Sequence, residues 1–260
     1  MLPSLFISHG APTLPLSPSP AREFLAGLGR VLPRPRAILA VSAHWETPTP
    51  AVNEVAVNDT IHDFYGFPRA LYDIRYPAPG GRELAERVRA LLGAKGVTVG
   101  VDPTRGLDHG AWVPLLLMYP EADIPVVQLS VQTNLGPAHH LALGRALAPL
   151  LAEEVLVLGS GSFTHDLSRF RYHRPDDPSP PDVAAFADWF DEGLRAARVE
   201  QLLDYRRQAP YAVQNHPTEE HLLPVFVALG AAGAEPTAER LHSSAAFGVI
   251  RMDAYAFRPA

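Results

Sequence analysis

Three apolar runs along the chain end in the same way. Leu5-Phe6-Ile7 stops at Ser8 and His9. The run from Ala37 to Val41 stops at Ser42-Ala43 and His44. The run from Val155 to Leu158 stops in Gly159-Ser160-Gly161-Ser162 and reaches His165. A short continuous apolar run bounded by turn residues predicts a fully buried strand. Further strands are expected over 51–58, 97–101, 125–131 and 247–257. Between them the apolar spacing changes to that of helices. Leu84, Val88, Leu91 and Leu92, with Arg82, Glu83, Glu86 and Arg87 turned away, predict a helix over 81–92. Val183, Phe186, Phe190 and Leu194 predict another over 182–198. The apolar stretches 112–119, 137–151 and 222–229 also read as helices. Ser19 before Pro20 is an expected N-cap, and Thr218 is a candidate cap that would put His221 in the first turn of the last helix.

Strands that alternate with helices predict an α/β fold. One domain over 1–260 is expected, with a central, mostly parallel or mixed sheet and helices on both faces. Ligands of such folds bind beyond the carboxyl ends of the strands. Three strand ends that each deliver a histidine therefore predict one convergent site.

Composition narrows the chemistry. The chain has 260 residues, 47% hydrophobic and 19% charged, with a net charge of -6. No run of lysine and arginine stands out, which argues against a nucleic-acid partner. There is no cysteine. Disulfides, thiolate metal sites and cysteine nucleophiles are thereby excluded. No apolar run approaches the ~20 residues of a membrane span, and Met1-Leu2-Pro3-Ser4 has no signal-type core. A cytoplasmic protein with no membrane partner is expected.

The candidate chemistry lies in eleven histidines. His9, His44 and either His216 or His221 can close a facial site on a divalent metal and leave positions open for water or substrate. His139 and His140 sit among leucines and read as packing residues. His173 and His242 read as structural too. The glycines at 159 and 161 are not a dinucleotide fingerprint, because Thr164 stands where a third glycine is required. Neither Ser160 nor Ser162 has the flanking glycines of a nucleophile elbow. Asp108 beside His109 and Asp166 beside His165 are neighbours in sequence, which is no evidence of contact. Glu219 and Glu220 read as carboxylate ligands or as first-turn residues favoured by the helix dipole. The stretch IHDFYGFP at 61–68 is too aromatic for a solvated turn and too broken for a helix, as in a loop that packs over a core or lines a pocket.

SHGAP at 8–12, SAHWET at 42–47, IHDFYGFP at 61–68, YPAPG at 76–80, LDHGAW at 107–112, VVQLS at 126–130, GSGSFTH at 159–165 and HPTEEHLLP at 216–224 occur in that order. On these motifs, which cover nearly the whole chain, the protein resembles the class III extradiol ring-cleavage dioxygenases of the LigB superfamily. It is most similar to the DOPA-extradiol-dioxygenase-type branch. The resemblance implies a single α/β domain that uses O2 to cleave a catechol, DOPA-like or other, to a muconic semialdehyde. It implies one Fe(II) or Zn(II) per chain on His9, His44 and His221, with His165 as acid/base residue and possible fourth ligand. It implies His109 as a pocket histidine that meets substrate or oxygen. His62, Phe64, Tyr65 and Trp112, with Phe67, are the expected substrate-binding walls. The superfamily's founding pattern is two histidines and a glutamate, so His221 is a departure that suits zinc as well as iron. Two alternatives follow: a zinc-dependent hydrolase on the same histidines, and a non-enzymatic binding protein like the Memo-type branch. The latter carries a cysteine at the third ligand position, which this chain lacks.

Overall fold

Side chains on a strand point alternately to opposite faces, and in the central strands both faces are buried. The computed structural model describes all 260 residues, Met1–Ala260. Strands β1 (Ser4–Ser8), β2 (Ala37–Glu46), β3 (Ala51–Asn53), β4 (Gly100–Asp102), β5 (Val126–Val131), β6 (Val155–Gly161), β7 (Pro236–His242), β8 (Ala245–Ala246), β9 (Ile250–Arg251) and β10 (Ala254–Pro259) follow in chain order. Eight of them form one mixed sheet in the order β4-β3-β5-β2-β6-β1-β10-β7, and β8 and β9 pair apart from it. The centre, β5-β2-β6-β1, is all parallel. Strands β3 and β10 join it antiparallel at its two sides.

The alternation sorts the core into layers. Leu5, Ile7, Ile38, Ala40, Leu156 and Leu158 pack with the helices Pro20–Val31 and His109–Met118. On the other face, Leu39, Val41, Val155 and Val157 meet the helices Arg82–Gly93, Gly136–Leu147 and Leu223–Ala231. Phe6 meets the helix Pro181–Arg195 there. The result is a single α/β domain with helices on both faces, as the alternation of elements predicts. No helix is long and apolar enough to cross a membrane.

Ser19 caps the first helix, its hydroxyl accepting from the Arg22 N–H at 3.2 Å. Several expectations need correction. The strand expected over 97–101 shrinks to β4, an edge strand held by β3 alone. The helix expected over 137–151 breaks before Pro149, because a proline has no N–H to continue the ladder. Thr218 does not cap the last helix. Its hydroxyl goes to Glu220 at 2.9 Å, and the helix begins only at Leu223. His221 consequently lies in the turn before the helix rather than in its first turn. The stretch 247–257 is interrupted between β9 and β10.

Candidate active site

The carboxyl ends of β1, β2 and β6 lie side by side, so the residues that leave them converge. His9 follows β1, and its backbone N–H donates to the Gly161 carbonyl of β6 at 3.0 Å. Gly10 then takes φ +67°, a left-handed conformation that a side chain would strain. His44 occupies the end of β2. His221 arrives from the far side of the sequence, its carbonyl accepting from the Ser162 N–H at 2.9 Å. A Cβ on Gly161 would come within 2.0 Å of that carbonyl, so only glycine lets the two segments meet.

These three histidines present Nε2 atoms to one another. His9 Nε2 is 3.1 Å from His44 Nε2, and His44 Nε2 is 3.3 Å from His221 Nε2. The groups behind the rings fix their tautomers. The Ser160 hydroxyl donates to the Gly110 carbonyl, so it accepts from His9 Nδ1 at 3.1 Å. The Glu220 carboxylate accepts from His221 Nδ1 at 2.9 Å. The Asp63 carboxylate lies 3.5 Å from His44 Nδ1. With the protons on Nδ1, lone pairs face lone pairs across the centre. A cation relieves that repulsion, and neutral imidazole is the ligating form. Burial first, and then the neighbouring imidazoles, hold His9 and His221 well below the usual histidine range. Burial takes His44 down to about 4, with the nearby His109 adding to it.

The spacing fits a metal. With metal–nitrogen bonds of about 2.0–2.1 Å, adjacent ligand nitrogens stand roughly 3.0 Å apart at an octahedral edge and roughly 3.4 Å at a tetrahedral one. The observed 3.1 and 3.3 Å fall between them. Two other groups of potential ligands share these histidines, His44-Asp63-His109 and His165-Glu220-His221. In both, the carboxylate already holds an imidazole Nδ1, the arrangement that orients metal-bound histidines from behind.

His109 begins its helix directly after Asp108. Asp63 accepts from both its backbone N–H and its Nδ1, at 3.0 and 2.9 Å. Burial alone would raise the Asp63 pKa, but the hydrogen bonds and charge of His109 outweigh it and bring it to about 2. Asp108, the sequence neighbour, has a different task. It caps the helix at the Ala111 N–H and is held by Ser42, Gln128 and Arg105. His165 stacks face to face on His221, ring centres 3.4 Å apart, and burial lowers its pKa to about 4. Its backbone N–H donates to the Asn215 carbonyl at 2.7 Å.

A cavity of about 320 Å³ opens above this centre, floored by His9, His44, His109 and His165. Phe64, Phe67, Leu167, Phe170 and Ile250 line its walls. Of the five expected substrate-binding residues, Phe64 and Phe67 line it and His62, Tyr65 and Trp112 do not. His62 turns its Nε2 to the Ile74 carbonyl at 3.2 Å. Trp112 is fully buried in the core behind, its Nε1 donating to the Ile61 carbonyl. Tyr65 is 93% exposed and points to solvent. Leu167 and Phe170 follow His165 closely but have no distinguishing pattern, and Ile250 reaches the cavity from a segment remote in the chain. The carboxylates behind the histidines had a partial sequence signal in HDF at 62–64 and EEH at 219–221. His216, the other candidate for third ligand, is fully buried elsewhere, its Nε2 on the Phe163 carbonyl at 3.0 Å.

Comparison with known proteins gives a consistent picture. A family model described as the catalytic LigB subunit of aromatic ring-opening dioxygenase matches residues 5–257. The chain is 46% identical to the "4,5-DOPA dioxygenase extradiol" of Beta vulgaris, over 98% of this chain and 96% of that protein. It is 41% identical to the protein of the same name in Escherichia coli K12, over 90% and 87%. Among solved structures, an uncharacterized protein from Escherichia coli K12 superimposes with a TM-score of 0.81 at 32% identity, covering 98% of this chain and 99% of that one.

Proposed function

We propose, from the premise that the chain belongs to the LigB family of aromatic ring-opening dioxygenases and is an extradiol dioxygenase, that it binds one Fe(II) on His9, His44 and His221 and opens a catechol ring to a muconic semialdehyde. DOPA or another catechol is the substrate in this reading. The observation that carries the ligand set is the facing trio of Nε2 atoms, with the His9 and His221 Nδ1 protons committed to Ser160 and Glu220. When bound, the metal supplies a Lewis-acidic centre that lowers the pKa of catechol hydroxyls and a redox-active centre for dioxygen.

The chain's own side chains position the substrate and move its protons. Phe64, Phe67, Leu167, Phe170 and Ile250 line the cavity, pack against the flat ring and exclude water from it. A ring nitrogen of His165 takes a proton from a catechol hydroxyl and later returns it. His109 commits Nδ1 to Asp63, which leaves Nε2 for a polar group of the substrate or oxygen. Both atoms of O2 end in the product as the ring bond beside the hydroxyl pair breaks. The same proposal sets the enzyme in the cytoplasm, with no nucleic-acid partner.

The test is anaerobic loading with Fe(II), followed by a catechol and then air. A yellow semialdehyde, formed with uptake of one O2 per catechol, is the expected result. No colour with any catechol, alongside hydrolytic activity in zinc-loaded protein, would sink this reading in favour of a zinc-dependent hydrolase. Neither activity, with metal still bound, would favour a binding protein.

A further inference from the structure

The cavity walls differ in chemistry from its floor. Apart from the four imidazoles and Ser162, every lining side chain is carbon or absent: Ala11, Pro12, Phe64, Phe67, Leu167, Phe170, Ile250 and the backbone at Gly10. No aspartate, glutamate, lysine or arginine lines it. The Ser162 hydroxyl is already committed to the Thr164 carbonyl at 2.7 Å. Of the arginines flanking the lining residues in sequence, Arg69 is exposed outside the lining, and Arg169, Arg251 and Arg171 are engaged, although Arg169 Nη2 has no hydrogen-bond partner. Arg169 pairs with Asp182 at 2.6 Å and Asp166 at 3.3 Å. Arg251 pairs with Asp253 at 2.8 Å and donates to Ser243 at 2.7 Å. Arg171 lies over the Tyr172 ring.

We infer that the favoured substrate is a catechol whose ring substituent is neutral and apolar, a short alkyl chain rather than a carboxylate, an ammonium or an amino-acid zwitterion. This rests on the catechol reading above. The metal site and His165 on the floor would hold the two hydroxyls, so the rest of the molecule must lie against carbon. A charge placed there loses its water and finds no partner. A methylene placed there is removed from water against apolar surface. A volume of about 320 Å³ is at the small end of ligand pockets, roughly 300–1,000 Å³, and suits a single ring with a short chain.

The experiment is an anaerobic titration of the Fe(II)-loaded protein, which reads binding independently of turnover. Catechol, 4-methylcatechol, 4-ethylcatechol and 4-propylcatechol form the neutral series. 3,4-Dihydroxyphenylacetate, dopamine and DOPA form the charged one. Kd is expected to fall about fourfold for each added methylene, and each charged ligand is expected to bind at least tenfold more weakly than 4-propylcatechol. A flat neutral series, or a charged ligand that binds as tightly as 4-propylcatechol, overturns the inference. Leu167→Arg, at an exposed position on the rim, is expected to improve 3,4-dihydroxyphenylacetate relative to 4-propylcatechol by tenfold or more. An unchanged ratio counts against the carbon wall as the cause. Admitting air afterwards separates the two claims. Product with DOPA as the tightest ligand defeats the inference and keeps the enzyme. A falling Kd along the neutral series with no product keeps the apolar binding preference and defeats the ring-cleavage reading it rests on.

Discussion

The molecule buries histidines in two unlike places. His9 and His221, at the carboxyl end of the sheet, are as hidden from solvent as His140 and His216. All four have pKa values pushed down, with burial the largest cause. Their partners are what differ. His140 donates from Nδ1 to the Gly136 carbonyl at 2.7 Å and accepts at Nε2 from the Gln132 N–H at 3.1 Å. Both of its nitrogens are used by the backbone, and it serves packing. His9 and His221 use one nitrogen each on a side chain behind them and turn the other toward a third imidazole. Burial and a low pKa therefore do not mark a functional histidine. Lone pairs that face each other do.

The comparison breaks most sharply at the proposed ligands. His9→Ala, His44→Ala and His221→Ala are each expected to lose bound metal and ring cleavage by more than the roughly 10–100-fold expected of supporting carboxylates. Metal content after loading and gel filtration, with circular dichroism to confirm folding, checks this. The next effect belongs to the packing set. His140 has a folded pKa of about 4, below its unfolded value of about 6.5, so protonation favours the unfolded chain. Its contribution is present above pH 6.5 and is lost as pH falls to 4, about 3 kcal/mol in total. Urea unfolding across that range should show a smaller loss in His140→Gln than in the wild type. Equal slopes would show that the buried, neutral His140 contributes nothing to the loss of stability in acid.

Smaller effects sharpen the contrast. Glu220→Gln and Asp63→Asn leave all three Nε2 atoms in place but loosen the rings behind them. Each is expected to weaken metal binding by roughly 10–100-fold, read by competition with a chelator. The smallest change is expected at Tyr65→Ala. A side chain that is 93% exposed and away from the cavity should alter stability by no more than about 0.5 kcal/mol and leave catechol Kd unchanged.

Much of this architecture can be read from the chain because buried strands and amphipathic helices leave local patterns. The run from Ala37 to Val41 is apolar on both faces because helices cover both. The strand ends carrying His9, His44 and His165 follow from the same runs. Long-range choices leave no such pattern. His216 and His221 lie five residues apart in one loop, and their fates diverge only because His216 meets the Phe163 carbonyl while His221 meets His44. The resemblance of HPTEEHLLP separates them; spacing alone does not. Thr218 has the right chemistry for a cap, but Glu220 takes its hydroxyl and the helix starts later. Trp112 and Phe64 are both large aromatics, and only the tertiary fold puts one in the core and the other on the cavity. Leu167, Phe170 and Ile250 are ordinary apolar residues until the segment after β6 and strand β9 bring them together.

The most direct test of the account is iron content per chain after anaerobic loading, compared across wild type, His9→Ala, His44→Ala, His221→Ala and His140→Gln. One Fe(II) per chain in wild type and His140→Gln, and none in the three alanine variants, is the predicted result. Iron retained at full occupancy by any of the three alanine variants would contradict the claim that the facing Nε2 atoms form the metal site.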